Sequence, residues 1–460
     1  MAPGLVSRSL SKVRAMVAGA GGAKGVEPPG KVLARIRQQL KECADGLGGE
    51  VSTRLRAARL AETYLGLDDA GRIAFLRMIA VEFGPDPRKV AKAHDAYQAA
   101  VGTDRQWDAE AQLRAAMRSS RIRILTQFNA IPQGVKFLVD LRVDLLRYLD
   151  KHKELKSLDR ELEARLIAWF DVGFLELARV TWNSPAALLE KIVKYEAVHE
   201  IRSWRDLKNR LGSDRRCYAF FHPRMPDEPL IFVEVALMEE LADNVQKLLD
   251  ENAPVADPGR ATTAIFYSIS ATQDGLRGVS FGNFLLKRVI DDLKRDFPRI
   301  KTFATLSPIP GLVRWATKNM ASVLAAFSDA DWKRLAAAGI AGPESEEFRL
   351  ALEARTGWVG NAALANALRE PLLKVAATYL LEAKRGATPL DPVARFHLGN
   401  GARVERLNWL ADVSDKGLTQ SWGIMVNYLY DPDRIEENVE AFAKDGGIDT
   451  TAGVRRLARR

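Results

Sequence analysis

The chain has 460 residues, 47% of them hydrophobic and 28% charged, too long for one core and ordinary for a soluble protein of two or more domains. Its two cysteines, Cys43 and Cys217, form no CxxC pair, which excludes a disulfide framework and a structural zinc site, and no apolar run approaches the roughly 18 residues of a membrane span. The net charge of +9 sets 68 Lys and Arg against 59 Asp and Glu; the basic residues are spread along the chain without a basic block or an RNA-binding aromatic motif, which argues against nucleic acid and suits the steering of a phosphate-bearing small ligand.

Residues 1–30 contain Gly21-Gly22 and Pro28-Pro29-Gly30 and read as a flexible N-terminus and linker, although the acid-free first 26 residues have some transit-peptide character. From 31 to 200 the apolar residues repeat at helical spacing: Leu33, Ile36, Leu40 and Cys43, then Leu138, Leu141, Leu145 and Leu149. This predicts an all-helical bundle without strands, suited to scaffolding or oligomerisation. Ser184-Pro185 is expected to cap and open one of these helices.

Near 216 the pattern changes. Cys217–Phe221 and Leu230–Leu237 read as strands joined by a turn at 226–229, followed by a helix over 238–250. Ala264–Ser270 is a further strand, 283–296 a helix and Thr302–Leu306 a strand. Residues 313–385 revert to Ala-rich helix with breaks at Gly339 and Gly342-Pro343, and strands return around 403–408 and 421–430. The predicted class is α+β: a helical bundle over 31–200, a mixed domain over 201–445 with a helical insertion at about 313–385, and a tail over 446–460.

Two places carry chemistry. The strand at 264–270 runs into a Gly-rich turn, Arg277-Gly278-Val279-Ser280-Phe281-Gly282-Asn283, and then a helix. Such a turn either simply joins strand to helix or presents backbone N–H groups and a helix N-terminus to a phosphate. It is not a P-loop, and the segment resembles the acyl-CoA-binding core of the GNAT superfamily, with Ser280 where a Gly is usual. The second place combines Ser307, at the end of a strand and stiffened by Pro308 and Pro310, with His397, flanked by Phe396 and Leu398 and followed by Gly399-Asn400-Gly401. Ser307 could cap the next helix and His397 could be a buried structural side chain. Together they could transfer a proton on a small group. No second His, Cys or carboxylate stands at metal-ligand spacing, so no metal is expected. The nucleophile elbow of a serine hydrolase is absent.

The strings Phe266-Tyr-Ser-Ile-Ser270, Leu306-Ser-Pro-Ile-Pro-Gly311 and Asn408-Trp-Leu-Ala-Asp-Val-Ser414 closely resemble the malonyl-CoA decarboxylase family over roughly the C-terminal 270 residues. The resemblance implies a helical N-terminal domain and a GNAT-like catalytic domain, and conversion of malonyl-CoA to acetyl-CoA and carbon dioxide without a cofactor. It implies catalysis by Ser307 and His397, with His397 protonating the carbanion from a near-neutral pKa. Arg277–Asn283 would bind substrate, and Ser268 and Tyr430 would line the site; Asn400, in the turn after His397, is a further candidate for substrate binding. Animal members carry Glu where this chain has Ser280, so an acid–base role for that Glu is not general. A homotetramer in a bacterial cytoplasm is expected, with the mitochondrial matrix as the alternative. Two other readings share the CoA cradle: an acyl-CoA N-acyltransferase, and a non-enzymatic malonyl-CoA sensor.

Overall fold

The computed structural model describes residues 30–46, 49–279, 281, 284–353 and 358–458. They divide into two compact units. One takes the described residues within Met1–Leu175, His222–Pro226 and Gln273–Ser280; the other takes those within Glu176–Phe221, Asp227–Thr272 and Phe281–Arg460.

The first unit is built of helices, as the spacing predicts. Helix Gly134–Tyr148 buries Val135, Leu138, Leu141 and Leu145 along one stripe, each of which stabilises the unit by roughly 1.5–3 kcal/mol. Its Phe137 ring meets Tyr64 edge-on and Phe128 at a tilt, and Tyr64 in turn packs at a tilt on Phe75. Asp68 caps helix Asp69–Glu82 by accepting from the Gly71 N–H. Helices Pro87–Ala100 and Gln106–Ala116 differ: the first buries no residue and the second only Ala109.

The second unit carries an eight-stranded sheet: β1 Glu176–Val180, β2 Arg215–His222, β3 Met225–Met238, β4 Thr263–Ala271, β5 Thr302–Thr305, β6 Ser307–Pro308, β9 Arg403–Asn408 and β10 Met425–Tyr430. A separate ribbon pairs β7 Lys384–Arg385 with β8 Thr388–Pro389. The expected class, a helical bundle followed by a mixed α/β domain, is what the chain folds into.

Four local expectations change. β1 lies in a stretch expected to be wholly helical; it is a five-residue edge strand with only Val180 buried, too short to show a period of two. Ser184 does not cap the helix after it, because its hydroxyl accepts from the Thr181 N–H and Pro185 takes the cap position. The β2–β3 turn falls at Pro223-Arg224, since Pro226 and Pro229 lie within β3 near its start, where a missing N–H is tolerated. The helix expected over 238–250 shrinks to Val245–Leu248. Long-range bonds from Val245 N–H to the Ala411 carbonyl and from Asn244 Nδ2 to the Leu410 carbonyl hold this segment instead.

The centre of the sheet positions the site. β4 and β5 run parallel, but their register ends at Phe266 opposite Thr305, while β4 continues antiparallel to β3 as far as Ala271. Beyond Leu306 the chain leaves β4. β5 pairs with Leu429–Tyr430 of β10 and β6 with Met425–Val426, so β5 and β6 are one strand interrupted at Leu306. A β-bulge at Tyr267 shifts the β3–β4 register between Glu234 and Val235. The bulge, and the end of the β4–β5 pairing while β10 stays paired along the other edge, splay β4 from β6 and leave a wedge between them.

Candidate active site

A cavity of about 270 Å³ occupies this wedge. Tyr267, Ile269 and Ala271 of β4 form one wall, Ser307 and Pro308 of β6 another, and Val393, Phe396 and His397 a third. Most of its lining is apolar, and Ser307 and His397 supply its reactive groups.

Ser307 and His397 reach the cavity on regular elements. Ser307 is on β6 and does not cap the following helix, whose N-cap is Gly311. His397, expected in the Gly-Asn-Gly turn, lies in the last turn of helix Pro392–Gly399. Buried Asp391 caps that helix by accepting from the Val393 and Ala394 N–H groups at 2.9 Å each, a contribution of about 1 kcal/mol. Pro392 fits the first helical position, where no N–H is needed. Val393 is one turn before His397 and so shares its face.

The side chains form a buried chain of hydrogen bonds. His397 Nε2 lies 3.1 Å from Ser307 Oγ, and His397 Nδ1 lies 2.7 Å from the Tyr430 hydroxyl. Ser307 Oγ donates to Thr305 Oγ1 at 2.8 Å. Thr305 Oγ1 also accepts from the Tyr428 N–H at 3.1 Å. The imidazole stacks on the Tyr428 ring at 4.7 Å. Burial pushes the His397 pKa down to about 3 and the Tyr430 phenol well above its ordinary value, because both charged forms would lose their hydration. The near-neutral imidazole expected from the sequence is thus corrected: burial among aromatic rings keeps the ring uncharged at physiological pH.

This geometry differs from that of an acyl-transfer triad. Nδ1 faces a phenol where a triad has a carboxylate, and the Ser307 O–H points to Thr305. Uncharged His397 offers an N–H beside an apolar chamber, an arrangement suited to protonating a strongly basic carbon.

The other expected site residues are distributed differently. Tyr430 is in the hydrogen-bonded chain. Ser268 does not line the cavity; its hydroxyl donates to both oxygens of Glu196, at 2.7 and 2.9 Å. Asn400 is buried at the end of the His397 helix, where its N–H bonds the Phe396 and His397 carbonyls. Phe281 is partly buried, and Ser280, Gly282 and Asn283 lie outside the described residues. In the first unit, Arg142 donates to the carbonyls of Gly275 and Arg277 and pairs with Asp159 and Glu163. Arg277 itself is exposed and Val279 buried. Gly278 has φ +88°, and a Cβ there would run into the Glu163 carboxylate. Glycine is therefore required by backbone and packing alike.

Thr305 and Glu196 were not singled out from the sequence. Thr305 reads there as an ordinary strand residue; its alternation with Ser307, two positions on, was the available signal. Glu196 offers no signal short of the fold.

Comparisons with known proteins identify the family. Residues 173–460 match the malonyl-CoA decarboxylase C-terminal domain and residues 83–170 the N-terminal domain of the same family. The mitochondrial malonyl-CoA decarboxylase of Anser anser anser is 38% identical over 392 residues, covering 82% of this chain and 77% of that protein. The Rattus norvegicus enzyme is 38% identical over 393 residues, covering 82% and 79%. The crystal structure of malonyl-CoA decarboxylase from Rhodopseudomonas palustris superposes with a TM-score of 0.81 at 41% identity, covering 93% of this chain and 99% of that one. The Agrobacterium vitis structure gives 0.81 and 41%, covering 93% and 100%. With its reactive pair in a family-matched domain and its similarity extending over most of its length, the chain belongs to the malonyl-CoA decarboxylase family.

Proposed function

We propose that this protein decarboxylates malonyl-CoA to acetyl-CoA and carbon dioxide, with His397 as the general acid. The observation that carries the reading is the buried Tyr430–His397–Ser307 chain opening on the apolar wedge between β4 and β6.

Breaking the bond between the α-carbon and the carboxylate leaves its electron pair on the α-carbon, delocalised onto the thioester oxygen. An apolar chamber favours this step, because a carboxylate loses hydration there and carbon dioxide has no charge to solvate. The α-carbon then takes the proton from His397 Nε2. An enolate carbon is a far stronger base than an imidazole nitrogen, so an imidazolium is not needed; pKa tuning of this kind keeps an imidazole neutral yet electrophilic. Tyr430 donates to Nδ1 and steadies the charge left on the ring, and solvent restores the proton after acetyl-CoA leaves. Ser307 accepts the Nε2–H until substrate arrives and holds the ring in place.

The thioester serves as its own electron sink, so the reading calls for no metal or organic cofactor. The Gly-rich turn at 277–283 is assigned to the CoA phosphates, supported by its glycines and by the helix that starts at Phe284. A homotetramer in a bacterial cytoplasm completes the reading. It is supported by the exposed hairpin at 87–116 and by the bacterial sources of the two similar structures. Among the described residues no helix is long and apolar enough to cross a membrane.

One assay tests the activity. Purified protein is incubated with malonyl-CoA and no amine, and acetyl-CoA and carbon dioxide are followed together. Equal formation of both is expected. Transfer of an intact malonyl group to an added amine, with no carbon dioxide released, would establish an acyltransferase, and tight binding without turnover a sensor.

A further inference from the structure

We infer that Thr305 is a positioning residue that sets the tautomer of His397, by holding the Ser307 hydroxyl proton away from the imidazole. The inference deepens the reading of His397 as the acid and rests on it.

A serine hydroxyl has one proton to give, and its direction decides what the neighbouring nitrogen must be. Ser307 Oγ donates to Thr305 Oγ1 at 2.8 Å. Its contact with His397 Nε2 at 3.1 Å can then be a hydrogen bond only if Nε2 carries the hydrogen. A neutral ring has one N–H, so Nδ1 is bare and accepts from the Tyr430 hydroxyl at 2.7 Å. The low imidazole pKa excludes the doubly protonated ring at neutral pH.

Thr305 is itself fixed. It is fully buried, and its oxygen also accepts from the Tyr428 N–H. Its carbonyl accepts from Asn427 Nδ2 at 2.7 Å. That amide is anchored in turn by the Ala242 carbonyl, Arg406 and Asn408. The acceptor that orients Ser307 is thus held by β10, the strand that also carries Tyr430. The consequence is chemical: the transferable proton sits on Nε2, at the cavity, and not on Nδ1, which is turned toward Tyr430. Without the Thr305 oxygen, Ser307 is free to donate to Nε2, and the ring relaxes to the Nδ1–H form with its proton on the wrong side.

The test uses full-length protein labelled with ¹⁵N-histidine, in which the His397 signals are identified by their loss in His397→Asn. Wild-type protein is expected to show Nε2 protonated and Nδ1 bare at pH 7. Thr305→Val, nearly the same shape without the acceptor, should reverse the two and lower kcat by roughly 10-fold or more with KM within about 3-fold. Thr305→Ser, which keeps the acceptor, should restore both. Wild-type protein with Nδ1 protonated overturns the inference even if Thr305→Val fails to fold. So does a folded Thr305→Val with wild-type tautomer and kcat, or a folded Thr305→Ser as impaired as Thr305→Val. Full activity in His397→Asn would instead sink the assignment of His397 as the acid, whatever the nitrogen signals of wild type show about Thr305.

Discussion

His397 Nδ1 and the Tyr430 hydroxyl stand 2.7 Å apart, with both side chains buried and, among the described residues, no carboxylate hydrogen-bonded to either. The phenol is a hydrogen-bond partner that cannot draw a full positive charge onto the ring. This separates the site from a hydrolase triad and leaves the imidazole uncharged at neutral pH.

Removal of the acid should cost turnover more than binding. We expect His397→Asn to bind malonyl-CoA about as wild type does and to lower kcat by roughly 10²-fold or more. Tyr430→Phe, which leaves Nδ1 without its donor, should lose roughly 10-fold. Steady-state kinetics with a direct binding measurement checks both, and near-normal kcat in His397→Asn would refute the assignment.

The pH dependence of kcat follows from the neutral ring. With His397 near pKa 3, the kcat profile should show no ionisation close to 6.5, the ordinary histidine value. An imidazolium acid would instead lose activity as pH rises through its pKa. A descending limb that starts near 6.5 and disappears in His397→Asn would contradict the neutral-acid mechanism.

The same pKa makes a stability prediction. The unfolded chain takes up a proton on this histidine below about pH 6.5 and the folded chain only near 3. The contribution is therefore fully present above pH 6.5 and is lost as pH falls from there toward 3. Between pH 6 and 4, wild-type stability should fall more steeply than that of His397→Asn, by up to about 1.4 kcal/mol per pH unit. Chemical denaturation at several pH values measures the difference, and parallel curves would count against a buried, depressed imidazole.

Gly278 serves both the backbone and the proposed nucleotide site. Gly278→Val forces a β-branched residue to φ +88° and against Glu163, which should cost about 1–3 kcal/mol of stability. If the turn also holds the CoA phosphates, KM for malonyl-CoA should rise more than kcat falls, and the defect should shrink on malonyl-pantetheine. An equal loss on both substrates would leave the turn a purely structural role.

The hairpin at 87–116 and its C-cap residue Met117 leave Val101, Trp107 and Met117 more than half exposed, an apolar surface of the kind a partner covers. We expect a tetramer at micromolar concentration by light scattering, and a smaller species for Trp107→Glu. An active wild-type monomer would contradict the assembly.

The order of helices and strands along the chain, and the candidates Ser307 and His397, were legible in the sequence alone. Helical spacing marks the first unit. Runs such as Leu230–Leu237 mark the central strands, because a buried strand must be apolar on both faces. Ser307 and His397 stand out because Pro or Gly residues flank them. Which partners those residues meet depends on the tertiary fold. Thr305, Tyr428 and Tyr430 meet through pairing of β5 with β10, segments more than 120 positions apart, and no local period encodes that register. Ser268 turns to Glu196, and the central wedge opens because β4 stays with β3 beyond Phe266 while the β5–β6 strand stays with β10. The fall of the His397 pKa is set by which distant rings cover the imidazole, and burial of that kind exists only once the chain has closed around it.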